Sequence, residues 1–264
     1  MNRSWYILLT AAVMTDVLHP VPRAVSAQTE VTSPRNDSAA VSGVIRYSGR
    51  VPKPSFDGFP TAAPEADPAA RGLANAFVYL EKLDPEKHEA VEGGPSANET
   101  PEPVHMDQAG FQFRPQVQVV QVGQDLVFGN SDFQNHNVRG NSEYPRNLFN
   151  VIMKPDRKVT KHFQYQGETS PIKITCDFHP GMEAWVYVID HPRYAVTGQD
   201  GRFEIEPVEP GRYRLHVTQP LKRVRAETDI ELVPDDRVNA RVTFGIANRY
   251  YRSSPPILVS RPTP

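Results

Sequence analysis

Apolar and polar residues alternate with a period of two along several short segments of this chain. The clearest are residues 117–122 (VQVVQV), 203–205, 213–217 and 238–244. Alternation of this kind, bounded by Gly, Pro, Asn and Asp, is typical of half-buried β-strands. Helical periodicity is almost absent after the N-terminal segment. We therefore predict an all-β protein built from β-sandwiches.

The N-terminal segment has a different pattern. Arg3 precedes an apolar stretch at residues 5–14, and the small residues Val25, Ser26 and Ala27 follow it. A basic start, a short apolar region and a small-residue site are typical of a secretory signal peptide. We predict that residues 1–27 are removed and that the protein is exported, to the periplasm or the extracellular space. No later stretch of about 20 apolar residues occurs, so we expect no membrane span in the mature chain.

The formal net charge of the full chain is −2 at pH 7 with neutral histidines. Phosphate neutralisation needs clustered lysine and arginine. We therefore expect no nucleic-acid partner.

The most informative motif lies in residues 172–188, IKITCDFHPGMEAWVYV. It contains the only cysteine of the chain, Cys176, with a histidine three residues later and a methionine three residues after that. Thiolate, imidazole and thioether together suit copper, and a blue-copper site uses one Cys, two His and a weak axial Met. The second histidine should come from an upstream strand, and His136 is suitably placed. The candidate ligands are His136, Cys176, His179 and Met182, and the alternative is an inert cysteine, a surface histidine and a core methionine.

The run from residue 111 to residue 190 resembles a cupredoxin, with a ligand loop of the length found in amicyanin. Residues 104–217 further resemble exported bacterial proteins of a methylamine-utilisation-like or plastocyanin-like type. The resemblance implies a Greek-key sandwich and a copper ion that cycles between Cu(I) and Cu(II). It also implies that Asn137 braces the two ligand loops and that His179 is the solvent-edge ligand. An apolar patch with Phe178 and Pro180 would then dock redox partner proteins.

A second resemblance covers residues 194–217, YAVTGQDGRFEIEPVEPGRYRLHV, in which Asp200-Gly201 and Pro210-Gly211 mark turns between alternating strands. This segment resembles the carboxypeptidase-regulatory-like, transthyretin-type β-sandwich. That family normally begins with strands such as residues 41–48 and 77–80, which here lie upstream of the copper motif. We favour insertion of the cupredoxin into this smaller sandwich. A tandem arrangement, with residues 41–82 added to the cupredoxin, is the alternative.

These interpretations predict a definite organisation of the chain. Residues 51–76 and 83–103 are rich in Pro, Ala, Glu and Gly and are predicted to be loops. The predicted parts are a signal peptide at 1–27, a linker at 28–40, a discontinuous carboxypeptidase-regulatory-like sandwich at 41–82 and 192–246, a cupredoxin domain at 102–190 and an extended tail at 247–264.

Three functions remain open from the sequence. The first is one-electron transfer by type 1 copper, the second is copper holding or delivery, and the third is a metal-free binding or scaffold module of the envelope. We expect no enzymatic activity, because the chain has neither the H-x-H pairs of multicopper oxidases nor a G-x-S-x-G nucleophile motif. Single histidines are more often surface groups than ligands, and we assign no metal to His88, His105, His162, His191 and His216.

Overall fold

The computed structural model describes residues 37–48, 72–83, 101–220, 223–245 and 254–262. The predicted signal peptide, most of the predicted linker and most of the two predicted loops lie outside these ranges. Within them the chain forms strands and a single turn of 3-10 helix at Pro145–Asn147, with no α-helix. The all-β prediction is confirmed. No helix in the described part of the chain is long and apolar enough to cross a membrane.

Seventeen strands make up the described structure. In chain order they are β1 Ala39–Tyr47, β2 Phe77–Lys82, β3 Val104–Gln108, β4 Phe113–Arg114, β5 Val117–Gln121, β6 Asp125–Asn130, β7 His136–Asn141, β8 Phe149–Met153, β9 Lys158–His162, β10 Ile172–Thr175, β11 Glu183–Ile189, β12 Tyr194–Val196, β13 Arg202–Val208, β14 Gly211–Gln219, β15 Val224–Leu232, β16 Arg237–Phe244 and β17 Leu258–Ser260.

The first sandwich consists of two four-stranded sheets. Sheet 1 has the order β13-β1-β16-β17 and sheet 2 has the order β12-β2-β14-β15. Alternate residues of the strands, such as Val41, Ile45 and Leu215, face inward and form one core. Strand β17, which falls in the predicted tail, pairs antiparallel with β16 at the edge of sheet 1. The first sandwich therefore takes strands from both ends of the described chain, and the domain limits proposed from the sequence stay a prediction.

Strands β3 to β11 form the second sandwich. Sheet 3 has the order β5-β11-β10-β7-β8 and sheet 4 has the order β4-β3-β6-β9. Strand β10 runs antiparallel to β7, and Thr175 lies opposite Arg139. Because neighbouring antiparallel strands have opposite directions, the start of β7 and the end of β10 lie at the same end of the sheet. This pairing brings His136, the first residue of β7, to the segment that begins with Cys176.

Sheets 2 and 3 pack against each other through a third apolar cluster, which we call the middle interface. Its buried members are Phe77, Tyr79, Val117, Val119, Trp185, Tyr187 and Ile189. The rings of Phe77 and Tyr187 are stacked with centroids 4.2 Å apart. Strands β2 and β11 are buried on both faces, which explains why FVYL and AWVYVI are continuous apolar runs and do not alternate.

Candidate metal centre

The loop between β10 and β11 carries three of the four predicted ligands. Its ends are joined by a hydrogen bond from the Cys176 N–H to the Met182 carbonyl (3.3 Å), and the Met182 N–H donates to the His179 carbonyl (3.2 Å). Gly181 has a φ of +94°, which glycine adopts without steric cost. The loop therefore has a defined conformation, held at both ends by rigid strands.

Three predicted ligands present donor atoms to one another. The Nδ1 atoms of His136 and His179 lie 2.9 Å apart. The Sγ of Cys176 lies 3.8 Å from Nδ1 of His136 and 3.6 Å from Nδ1 of His179. Metal ions bind imidazole nitrogen and thiolate sulfur at roughly 2.0–2.3 Å. One ion placed among the three atoms can therefore contact all of them, so these residues fit a metal.

Met182, the fourth predicted ligand, is 2% exposed and belongs to the same core cluster as Cys176. The backbone bonds of the loop tie it to both Cys176 and His179. This placement in the ligand loop is compatible with a weak axial role for the buried Met182 thioether.

Asn137 connects the two ligand-bearing segments. Its backbone N–H donates to the Cys176 sulfur at 3.5 Å. Its side-chain oxygen accepts the backbone N–H of Asp177 at 2.6 Å, and its amide group donates to the carboxylate of Asp177 at 3.0 Å and to Oδ1 of Asn150 at 2.8 Å. The side chain is thus bonded to the ligand loop and to β8 at once, which restricts the movement of both against β7.

Asp132 is a site residue that the sequence analysis missed. Its Oδ2 lies 2.9 Å from Nε2 of His136, so the neutral imidazole carries its proton on Nε2 and presents a lone pair on Nδ1. The carboxylate also accepts the N–H of Gly110 at 2.6 Å and of Phe111 at 2.9 Å. Burial raises the pKa of Asp132, but these hydrogen bonds outweigh it and the pKa lies below its ordinary value. Asp132 is therefore ionised at neutral pH and orients the buried ligand.

Phe111 covers the two imidazole rings. Its ring meets His136 and His179 edge to face, with centroid distances of 5.6 and 5.0 Å. The pKa of His179 is lowered, first by burial and then by the charge of His136, against the opposing effect of Asp132. Burial of His179 therefore favours the neutral, metal-binding form of that ring.

A second group of potential donors, Glu168, Asp190 and His191, has its ligand atoms within 4.8 Å of one another. Nδ1 of His191 accepts the backbone N–H of Arg193 at 3.2 Å, so the neutral ring carries its proton on Nε2. That nitrogen lies 3.8 Å from Oε1 of Glu168. A protonated nitrogen has no lone pair to offer, so this group is better suited to an internal carboxylate–imidazole contact than to a metal.

The remaining histidines of the described chain were not predicted as ligands. His162 and His216 pair with carboxylates, at 2.5 Å from Asp125 and 2.7 Å from Glu81. Neither belongs to a group of potential ligands among the described residues.

Comparison with known proteins gives structural likenesses only. No family model and no curated protein sequence matches the chain. A Cu-containing nitrite reductase from Thermus scotoductus SA-01 is similar at 23% identity and a TM-score of 0.32, over 42% of this chain and 28% of that one. A mutant of amicyanin with Cu(I) is similar at 20% identity and a TM-score of 0.29, over 33% and 82% of the two chains.

A purple cupredoxin from Nitrosopumilus maritimus is similar at 20% identity and a TM-score of 0.27, over 33% of this chain and 99% of that one. Each likeness covers less than half of the present chain, and the matched part spans less than a third of the nitrite reductase. The chemistry of the site is therefore inferred from its own donor atoms.

Proposed function

We propose that this protein is an exported type 1 copper protein that transfers single electrons. The observation that carries the proposal is the convergence of Sγ of Cys176 with Nδ1 of His136 and of His179 at 2.9 to 3.8 Å. Two imidazoles and one thiolate, with a buried methionine in the same loop, form the donor set of a blue-copper centre.

Each residue has a distinct role in this proposal. Cys176 supplies the thiolate, His136 and His179 supply neutral imidazoles, and Met182 is the weak axial group. Bound copper would accept and release one electron by alternating between Cu(I) and Cu(II). Asp132 and Asn137 hold the donors in one arrangement, which reduces the reorganisation that opposes electron transfer.

The two imidazoles differ in exposure, which suggests the route of the electron. His136 is fully buried, whereas His179 is half-buried and is flanked by the exposed residues Phe178 and Pro180. We propose that electrons pass through the edge of His179 to a redox partner protein that docks at this end of the sandwich.

Export is part of the proposal. The described part of the chain holds one cysteine, and it is buried and free of a disulfide. A free thiolate in an oxidising compartment is exposed to oxidation, whereas a coordinated one is protected. Copper binding at Cys176 would remove that liability. We propose an electron carrier and assign no catalytic step to the site.

The test is titration of the purified mature chain, residues 28–264, with Cu(II). The proposal requires one equivalent to give an intense thiolate-to-copper band that disappears on reduction and returns on oxidation. Tight uptake of Cu(I) without this band would instead indicate copper holding or delivery. Absence of stoichiometric copper binding would indicate a metal-free binding or scaffold module.

A further inference from the structure

The segment that connects β8, at the edge of sheet 3, with β9, at the edge of sheet 4, is rich in positive charge. We call residues 145–162 the basic segment. Five lysines and arginines lie in it, and Asp156 is its single acidic residue. The five are Arg146, Lys154, Arg157, Lys158 and Lys161. The full chain has a net charge of −2, so this positive charge is a local feature and not a property of the whole protein.

None of these five cations forms an ion pair with a carboxylate of the described residues. Elsewhere in the described chain such pairs are common, as in Arg214 with Asp229 and Arg237 with Glu206. In the basic segment, Arg157 donates to the carbonyl of Ile152 at 3.0 Å, and the Lys161 ammonium lies 4.9 Å from the centre of the Phe149 ring. Neither contact neutralises charge, so the basic segment presents uncompensated positive charge.

Two large apolar side chains of this segment are exposed. Leu148 is 53% exposed and Ile152 is 56% exposed. Leu148 precedes β8, whereas Ile152 lies at the end of β8 that leads to Lys154. Protein interfaces commonly combine an apolar centre with a polar rim, and Ile152 with the cations that follow it supplies both components.

The turn of the basic segment, between β8 and β9, contacts the segment that leads to the candidate metal ligand His136. The Asp156 N–H donates to the Asn130 carbonyl at 2.8 Å, and the Asn130 amide group donates to the Met153 carbonyl at 3.0 Å. In the pairing of β7 with β8, Met153 lies directly opposite His136. A partner seated on this turn would therefore be held next to the metal end of the sandwich.

We infer that the basic segment, through its turn at Lys154, Arg157 and Lys158, is a docking surface for a redox partner protein with an acidic rim around its own redox centre. Uncompensated cations steer an acidic partner and raise the rate of encounter, with a strong dependence on salt. The exposed side chain of Ile152 would meet an apolar area inside that rim. The electron-transfer role of the partner rests on the proposed function, whereas its binding does not.

Acidic cytochrome b5 is the probe for the first test, as a reductant of the Cu(II)-loaded protein in stopped-flow experiments. Charge reversal by Lys154→Glu, Arg157→Glu and Lys158→Glu in one variant should lower the second-order rate constant at low salt by about tenfold or more. The corresponding triple glutamine variant should give an intermediate rate. High salt should bring all of these rates close together.

A matched control changes the net charge equally at a different place. Arg46, Arg225 and Arg241 are exposed, lie on the first sandwich and form no ion pair with a carboxylate of the described residues. Their triple glutamate variant should keep the rate within about twofold of the unmodified protein. Equal loss in both triple variants would overturn the docking assignment, because it would report net charge alone.

The second test does not require copper. Amide chemical shifts of the labelled protein, recorded during addition of oxidised cytochrome b5, should change mainly in residues 145–162. Changes confined to other residues would overturn the inference even if the copper band is present. Absence of the copper band would defeat the proposed function and leave this binding result unaffected. Sedimentation with vesicles of phosphatidylcholine and phosphatidylglycerol, without shifts on addition of the cytochrome, would assign the basic segment to a membrane surface and would also overturn the inference.

Discussion

The carboxylate of Asp132 lies 2.9 Å from Nε2 of His136, on the side of the ring opposite the Nδ1 that faces Cys176 and His179. A hydrogen bond at the remote nitrogen selects the tautomer and orients the donor lone pair. The same carboxylate accepts a hydrogen bond from the backbone N–H of Phe111. Asp132 thus links the orientation of a proposed ligand to the aromatic cover of the site.

Removal of this carboxylate should weaken the metal centre. We expect Asp132→Ala to lower the copper affinity by about 10- to 100-fold, measured by competition with a chelator of known affinity. The matched control is Asp125→Ala, which removes a carboxylate 2.5 Å from a histidine that is not a proposed ligand. If both variants kept the affinity of the unmodified protein, Asp132 would have no role in ligand orientation.

The two sulfur ligands should respond differently to substitution. Cys176→Ser should abolish the visible band, because the band arises from the thiolate. Met182→Gln should retain copper but change the spectrum and the reduction potential, because an axial ligand tunes the centre and does not hold the metal by itself. Visible spectra, copper content and potentiometry distinguish these outcomes. Equal loss of copper in both variants would contradict the assigned roles.

The middle interface should contribute substantially to stability. Phe77 is fully buried and stacks on Tyr187 and Tyr79 with centroid distances of 4.2 and 5.0 Å. Truncation of a buried aromatic residue leaves a cavity, so Phe77→Ala should reduce the free energy of unfolding by about 3–5 kcal/mol. Phe133, which is 78% exposed, provides the control, and Phe133→Ala should change it by less than about 0.5 kcal/mol.

Chemical denaturation of the two variants under identical conditions gives the comparison. If Phe77→Ala lost no more free energy of unfolding than Phe133→Ala, the packing of sheets 2 and 3 would not depend on the contacts of Phe77. The copper band should survive in Phe77→Ala, since Cys176 belongs to a different core cluster from Phe77.

His191 should make stability depend on pH in a defined direction. Burial lowers its pKa to about 4, and the positive charge of Arg193 adds to this effect. In the unfolded chain, His191 therefore binds a proton at a pH near 6.5, whereas in the folded protein it does so only near pH 4. The stabilisation that comes from the neutral His191 ring is fully present above about pH 6.5. As the pH falls from 6.5 towards 4, protonation of His191 in the unfolded chain lowers the free energy of unfolding by up to about 3 kcal/mol.

Replacement by phenylalanine removes the titrating group. The free energy of unfolding of His191→Phe should fall less between pH 7 and pH 4.5 than that of the unmodified protein. Parallel pH profiles for the unmodified protein and His191→Phe would show that the buried ring does not titrate as described.

The β-class of the protein could be predicted because most strands bury one face, as in β16, where Val238, Ala240, Val242 and Phe244 alternate with exposed or half-buried residues. Strands β2 and β11 gave no such alternation, because they are buried on both faces, and Phe77 and Tyr187 lie on the faces that meet in the middle interface. The edge strand β17 was missed because its neighbouring prolines indicated an extended tail. Its pairing with β16 depends on a tertiary contact that no local pattern records.

The candidate ligands could be identified from the sequence because cysteine, histidine and methionine are scarce and their spacing within one loop is short. Asp132 and Phe111 could not be identified in this way. In a loop, an aspartate four residues before a histidine does not predict a contact between the two side chains. Phe111 reaches the site through a turn in which its own φ is +58°. Such contacts arise from loop geometry and not from residue type.

X-ray absorption at the copper edge, on the mature protein loaded with one equivalent of copper, tests the central claim most directly. The account predicts one short bond to a thiolate sulfur together with two imidazole nitrogens, and loss of the sulfur bond in Cys176→Ser. A coordination shell of nitrogen and oxygen alone in the unmodified protein would contradict a copper centre formed by His136, Cys176 and His179.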